Sequence, residues 1–126
     1  MISALIHVAL GGAAGAMARF LTGMGVLRLF GPQEFPIAII LVNVVGSFLM
    51  GVFVVAASHR GLTHLSPLIM TGFMGGFTTF SAFSLEAVTL YERGAMGHAA
   101  LYVLLSVGLS IGALFAGLFL ARGVWA

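Results

Sequence analysis

The sequence contains no cysteine, no lysine and no aspartate. Without cysteine there is neither a disulfide nor a thiolate metal site, and cysteine usage gives no information on redox compartment. Charge of any kind is scarce: charged residues are 6% of the 126, the five basic ones all Arg and the three acidic ones all Glu. The sequence pI near 10.0 is therefore a small-number effect and not a basic patch, and no nucleic-acid partner is implied. The four histidines, His7, His59, His64 and His98, are scattered, and three of them fall in predicted loops, which argues against a convergent metal site. There is no carboxylate pair, no nucleophile beside a base and no phosphate-cradling loop, so an enzyme reading has no support.

In place of charge the chain has long apolar runs. It is 61% hydrophobic with a mean hydropathy of +1.20, which excludes a water-soluble globular protein. Four stretches carry no charged residue: Met1 to Ala18, Phe35 to Ser58, Leu65 to Leu85 and Ala99 to Ala121. A bilayer core of about 30 Å takes about 20 helical residues at roughly 1.5 Å each. The chain therefore reads as an all-α integral membrane protein, a single membrane domain over 1–126 with spans near 2–21, 35–58, 66–86 and 99–121. The N-terminus reads as a first span, since no Arg precedes Arg19 and no small-residue cleavage motif follows. Turn-forming residues fall between the spans: Gly31-Pro32 and Pro36, then His59 to Ser66 leading into Pro67, then two glycines between Glu92 and His98. The loops are short, and no segment outside the membrane is large enough to hold a conventional active site.

The third span is the unusual one. Thr71 to Ser84 reads T-G-F-M-G-G-F-T-T-F-S-A-F-S, a mixture of hydroxyls, Phe and Gly unlike an ordinary lipid-facing helix. Gly75-Gly76 weakens the helix, and the hydroxyls of Thr78, Thr79 and Ser81 compete for freed backbone groups, so a break is expected over 75–79. Interrupted helices are tolerated at membrane depth only when buried in protein or lining a polar cavity, and they mark binding sites near the midplane. Function is expected beside Gly75 to Phe83.

Other spans carry polar groups at helical spacing. Asn43 and Ser47 lie on one face of the second span, either as a polar lining or as a helix-bridging Asn with Ser bonded back to its own helix. Tyr102, Ser106 and Ser110 recur at four-residue intervals on the fourth span and suggest a hydrated track ending at Leu114, unless each Ser is satisfied by its preceding turn. Phe80 and Phe83 share a face, with Ser81 and Ser84 on the adjacent one; aromatic ring edges carry partial positive charge and can face an anion, although such spacing is more often packing. Glu86 is either a solvated helix-end residue, paired with Arg93, or the rim of a pathway. Gly11-Gly12-x-x-Gly15 on the first span, and Gly108-x-x-x-Gly112 with Gly117 on the fourth, are expected to make close helix contacts.

With four spans both termini share a face with Arg60 and Arg122, opposite Arg19, Arg28 and Arg93. Basic residues set orientation, and a two-against-three division gives almost no instruction. Either the chain inserts both ways, which permits an antiparallel homodimer, or a single Arg such as Arg19 decides the matter.

These residues resemble the fluoride channels called Fluc, or CrcB proteins. The resemblance covers the whole chain and rests on G-G-x-x-G-x-x-x-R at Gly11 to Arg19, N-x-x-G-S-F-x-x-G at Asn43 to Gly51, and G-F-M-G-G-F-T-T-F-S-A-F-S at Gly72 to Ser84. It implies a dual-topology antiparallel homodimer in the inner membrane, with two fluoride pores giving passive export and no soluble protein partner. It also implies a structural sodium ion on the backbone carbonyls of Gly75 and Thr78 from both subunits. Phe80 and Phe83 would correspond to the pore-lining Phe pair, Asn43 to the pore amide, and Ser81, Tyr102, Ser106 and Ser110 to the polar track, with Glu86 and Arg19 near the pore ends. Ala82 and Leu114 depart from the family pattern, standing where hydroxyl residues are usual, and take no pore role.

Two rival readings are a small dual-topology proton-coupled drug exporter and a structural subunit of a larger complex. The exporter needs an ionisable residue within a span, and the first stretch offers only His7 near its end. The subunit reading accounts for the glycine faces but not for the hydroxyl and Phe cluster.

Overall fold

The computed structural model describes residues 1–125, all helix and short loop. Helix α1 (Ile2–Phe30) is followed by α2 (Ile37–Arg60) and a 3₁₀ turn at Thr63–Leu65. The third span then comprises a π-helical segment (Pro67–Met74), the short α3 (Gly75–Phe77) and, after an interruption, α4 (Phe80–Glu92); α5 (Met96–Trp125) completes the chain. Among the described residues, four helical units are long and apolar enough to cross a membrane. Large apolar side chains stand exposed along them, among them Leu10, Phe20, Leu104 and Phe119, as expected of a chain whose solvent is lipid.

The first helix continues well past residue 21 because nothing in the sequence stops it before Gly31. There a positive φ of 74° ends the helix, with its amide donating to Leu27 O at 2.8 Å. Gly61, in the left-handed region, ends α2 in the same way.

Glycine governs how the helices meet. A Cβ on Gly11 or Gly15 would strike the backbone carbonyl of Leu68 or Phe73, one on Gly72 would lie 2.9 Å from Gly11 Cα, and one on Gly76 would lie 2.5 Å from Gly12 O. The first helix and the third span are thus in backbone-to-backbone contact, which only missing side chains permit. A second seam joins α2 to α5, where Gly51 faces Leu114 O and Gly117 faces Phe48 O. The expectation for Gly108 and Gly112 fails within this chain: a Cβ on either meets nothing within 4 Å, because the α5 seam against α2 runs through Gly117 and leaves those two on an open face.

The interruption falls at Thr78 and Thr79, with φ, ψ of −86°, 159° and −152°, 119°. The glycine pair is not its cause, since Gly75 is helical at −61°, −37° and Gly76 is used for contact with α1. Thr79 is the N-cap of α4: Ala82 N–H donates to its Oγ1 at 3.1 Å, while the Thr78 hydroxyl donates back to Met74 O at 2.8 Å. β-Branched residues tolerate extended backbone well, and their hydroxyls replace partners the helix gives up at each broken end.

Candidate functional site

A break in a helix strands its carbonyls and amides, and the fate of each defines the site. In an unbroken helix the Thr79 amide would donate to Gly75 O and the Phe80 amide to Gly76 O. Here the Thr79 N–H donates instead to Asn43 Oδ1 at 2.8 Å, and Asn43 Nδ2 donates to Thr79 O at 3.1 Å. The amide of Asn43 therefore grips both backbone polar groups of one residue across the gap between α2 and the third span. The Gly76 carbonyl is taken by Arg19, whose Nε donates to it at 3.0 Å from α1. That places a fixed positive charge at the carbonyl end of α3, where the helix dipole favours it. The carbonyls of Gly75 and Thr78 receive no donor among the described residues.

Beside the break a groove with a cavity volume of about 450 Å³ opens between α2, α4 and α5. It gathers residues scattered through the sequence: Asn43 and Ser47 from α2, Thr78, Thr79, Phe80 and Phe83 from the third span, and Ser106 and Ser110 from α5. Gly46 makes room, for a Cβ there would collide with the Thr78 methyl. The hydroxyls of Tyr102, Ser106 and Ser110 are buried and have no hydrogen-bond partner among the described residues, so neither serine is bonded to its preceding turn. Buried unpaired hydroxyls cost about 1–3 kcal/mol each, so a line of three is chemically suited to a polar guest that accepts from them.

The two phenylalanines differ in setting. Their rings stand 5.3 Å apart at 52°, but Phe83 is buried against Tyr102, with centroids 5.3 Å apart, whereas Phe80 is 77% exposed on the groove rim. Ser81 is exposed outside the groove lining, its Oγ 3.4 Å from Thr79 Oγ1. Glu86 is partly buried one turn beyond Phe83, and Arg19 lies on the α1 side of the break; neither lines the groove. Asn43 is engaged as a bridging amide, with one N–H remaining after its two bonds to Thr79. Sequence reasoning overlooked Thr79 as an anchored residue and Phe35, whose ring packs on Tyr102 edge-on at 5.7 Å. A hydroxyl three residues before a helical amide was the available signal for Thr79; for Phe35 there was none.

Together, fold and groove define a multi-pass α-helical membrane protein whose third span is interrupted beside a line of buried hydroxyls. Residues 6–118 match the family described as CrcB-like protein, Camphor Resistance (CrcB). The chain is 64% identical over 124 residues to the fluoride-specific ion channel FluC of Ruegeria sp. (strain TM1040), covering 98% of both chains. It is 64% identical over 125 residues to the protein of that name from Roseobacter denitrificans, covering 98% of this chain and 99% of the relative. With the protein of that name from Rhizobium etli the identity is 49% over 126 residues, again covering 98% of this chain and 99% of the relative. The chain belongs to the CrcB family.

Proposed function

We propose that this protein is a fluoride-selective channel of the plasma membrane, carrying fluoride passively out of the cytoplasm along the groove beside the interrupted third span. The observation that carries the reading is the line of buried, unpartnered hydroxyls at Tyr102, Ser106 and Ser110. Fluoride is small and strongly hydrated, and it sheds water only where dense donors replace it; hydroxyls, the remaining Asn43 N–H and the ring edges of Phe80 and Phe83 supply them. Larger halides accept weaker bonds and require more room. A negative cell interior favours anion exit by about 2.3 kcal/mol per 100 mV, so no energy source is needed. In this reading Arg19 acts through the break by holding Gly76, Ser81 adds a hydroxyl beside that of Thr79 just outside the groove, and Glu86 borders the end nearer Tyr102.

The unit in this reading is an antiparallel homodimer with two pores. Gly75 is exposed on the protomer with an unpartnered carbonyl, and Phe80 is exposed beside polar groups. Bare backbone at membrane depth needs protein cover, which a second copy meeting at the break provides. The free carbonyls of Gly75 and Thr78 are acceptor-only oxygens suited to a hard cation, and two copies would offer four of them to a structural sodium ion. Such an ion would raise the local potential for anions.

The test is fluoride efflux from liposomes holding the purified protein. Phe80→Ile and Phe83→Ile keep bulk and lose the polarised ring edge, and each is expected to reduce efflux at least tenfold without altering the gel-filtration profile. Parental efflux in both variants would show that these rings only pack, and undiminished efflux in sodium-free buffers would remove the cation.

A further inference from the structure

The hydroxyl line does not stop at Tyr102. One interval of four residues earlier on α5 stands His98, so that His98, Tyr102, Ser106 and Ser110 form one stripe along a single helix face. His98 lies in a second cavity, of about 490 Å³, lined by Glu34, Phe35, Leu90, Arg93, Ala95 and His98, where the start of α2, the end of α4 and the start of α5 converge. Phe35, on the wall of this cavity, packs edge-on against both His98, with centroids 6.2 Å apart, and Tyr102, at 5.7 Å. Tyr102 itself is fully buried behind it, in a cluster with Phe83 and Leu90.

We infer that the cavity at Arg93 and His98 is the anion mouth at the Tyr102 end of the pathway, and that Phe35 is the plug between mouth and hydroxyl line. The inference rests on the reading that the hydroxyl line conducts. Three features of the cavity favour an anion. It holds the Arg93 guanidinium, at the carbonyl end of α4, and the His98 imidazole, both hydrogen-bond donors. The N-terminus of α5 opens beside it, at Ala95 and His98, and the first turn of that helix carries no acidic residue. It sits where loops meet the ends of spans, so an ion reaches it from water before desolvation begins. Glu34 opposes these donors and sets the anion concentration from the other side. Phe35, edge-on to both Tyr102 and His98, separates the polar cavity from the buried Tyr102 hydroxyl, and an anion passing it exchanges His98 and Arg93 for that hydroxyl.

The experiment is fluoride efflux from liposomes at low ionic strength, repeated near 1 M of an impermeant salt. A unit charge beside the mouth changes local anion occupancy about two- to threefold at low salt, and the effect is screened when the Debye length falls to about 3 Å. Arg93→Gln is expected to slow efflux by that factor and Glu34→Gln to speed it, both returning to the parental rate in high salt. Because Glu34→Gln leaves every Arg in place, it also guards against a change of orientation caused by losing Arg93. Phe35→Ala is expected to speed efflux and Phe35→Trp to slow it. Ser106→Ala and Ser110→Ala report separately on the track. If they slow efflux while the Arg93, Glu34 and Phe35 variants all conduct like the parent, the mouth is elsewhere and the inference falls while the channel reading stands. Shifts of the same sign from Arg93→Gln and Glu34→Gln also overturn it, and parental efflux in the serine variants removes the channel reading itself.

Discussion

Replacing Asn43 by alanine strips the Thr79 backbone of both its partners, one accepting at 2.8 Å and one donating at 3.1 Å. An unpaired backbone group costs about 1–3 kcal/mol when buried, and side-chain hydrogen bonds measured in membranes average about 0.6 kcal/mol. Thr79 is partly buried, so the two losses together come to about 2 kcal/mol. That corresponds to roughly 30-fold faster hydrogen exchange of the Thr79 amide, at 1.36 kcal/mol per decade. Asn43→Asp is the sharper variant. It retains the shape and the acceptor for the Thr79 amide but turns acceptor lone pairs toward Thr79 O, so it is expected to destabilise the break at least as much as alanine does despite being nearly isosteric. Ser47→Ala, on the same face of α2, is the control and is expected to leave Thr79 exchange unchanged. The assay is residue-resolved amide exchange in detergent micelles, with denaturant unfolding alongside. Asn43→Ala with parental Thr79 exchange and a stability within about 0.5 kcal/mol of the parent would show that the break holds itself and that the clamp contributes nothing. The clamp also means that an efflux defect in Asn43→Asp reads two properties at once, donor loss in the groove and movement of the break. Exchange at Thr79 separates them.

Two further outcomes are expected. Gly76→Ala places a methyl 2.5 Å from Gly12 O, a backbone atom that cannot rotate away, so destabilisation of about 1–3 kcal/mol by overpacking is expected in unfolding titrations, whereas Gly23→Ala, with open space around it, is expected to be neutral or slightly stabilising. Single cysteines introduced at the C-terminal end of α5 should be labelled from both sides of the membrane in one population of cells, given the two-against-three division of Arg; labelling from one side only would remove the antiparallel dimer.

The sequence by itself determined the class of protein. Helices and closed barrels alone satisfy the backbone in lipid, and four continuous apolar runs, with none of a barrel strand's alternation, leave only helices; that conclusion needs no tertiary contact. The hydroxyl stripe on α5 was equally legible, because four-residue spacing fixes a helix face from sequence alone, and so were the glycines of α1 as a contact surface. That the third span breaks within 75–79 was legible too, but its exact place at Thr78 and Thr79, and the partner that holds it, were not. Glycine propensity pointed to Gly75 and Gly76, but propensity is worth only about 1 kcal/mol, and close packing against Gly12 holds Gly76 helical while Thr79 finds a better partner in Asn43, 36 residues away. Likewise nothing in the pattern showed that Gly108 and Gly112 stay open while Gly117 packs, that Arg19 would be spent on the Gly76 carbonyl, or that Phe35 would lie against Tyr102. Periodicity specifies which residues share a face of one helix. Only the packing of helices distant in sequence decides which faces meet, and therefore which stranded backbone groups are satisfied by side chains and which remain free.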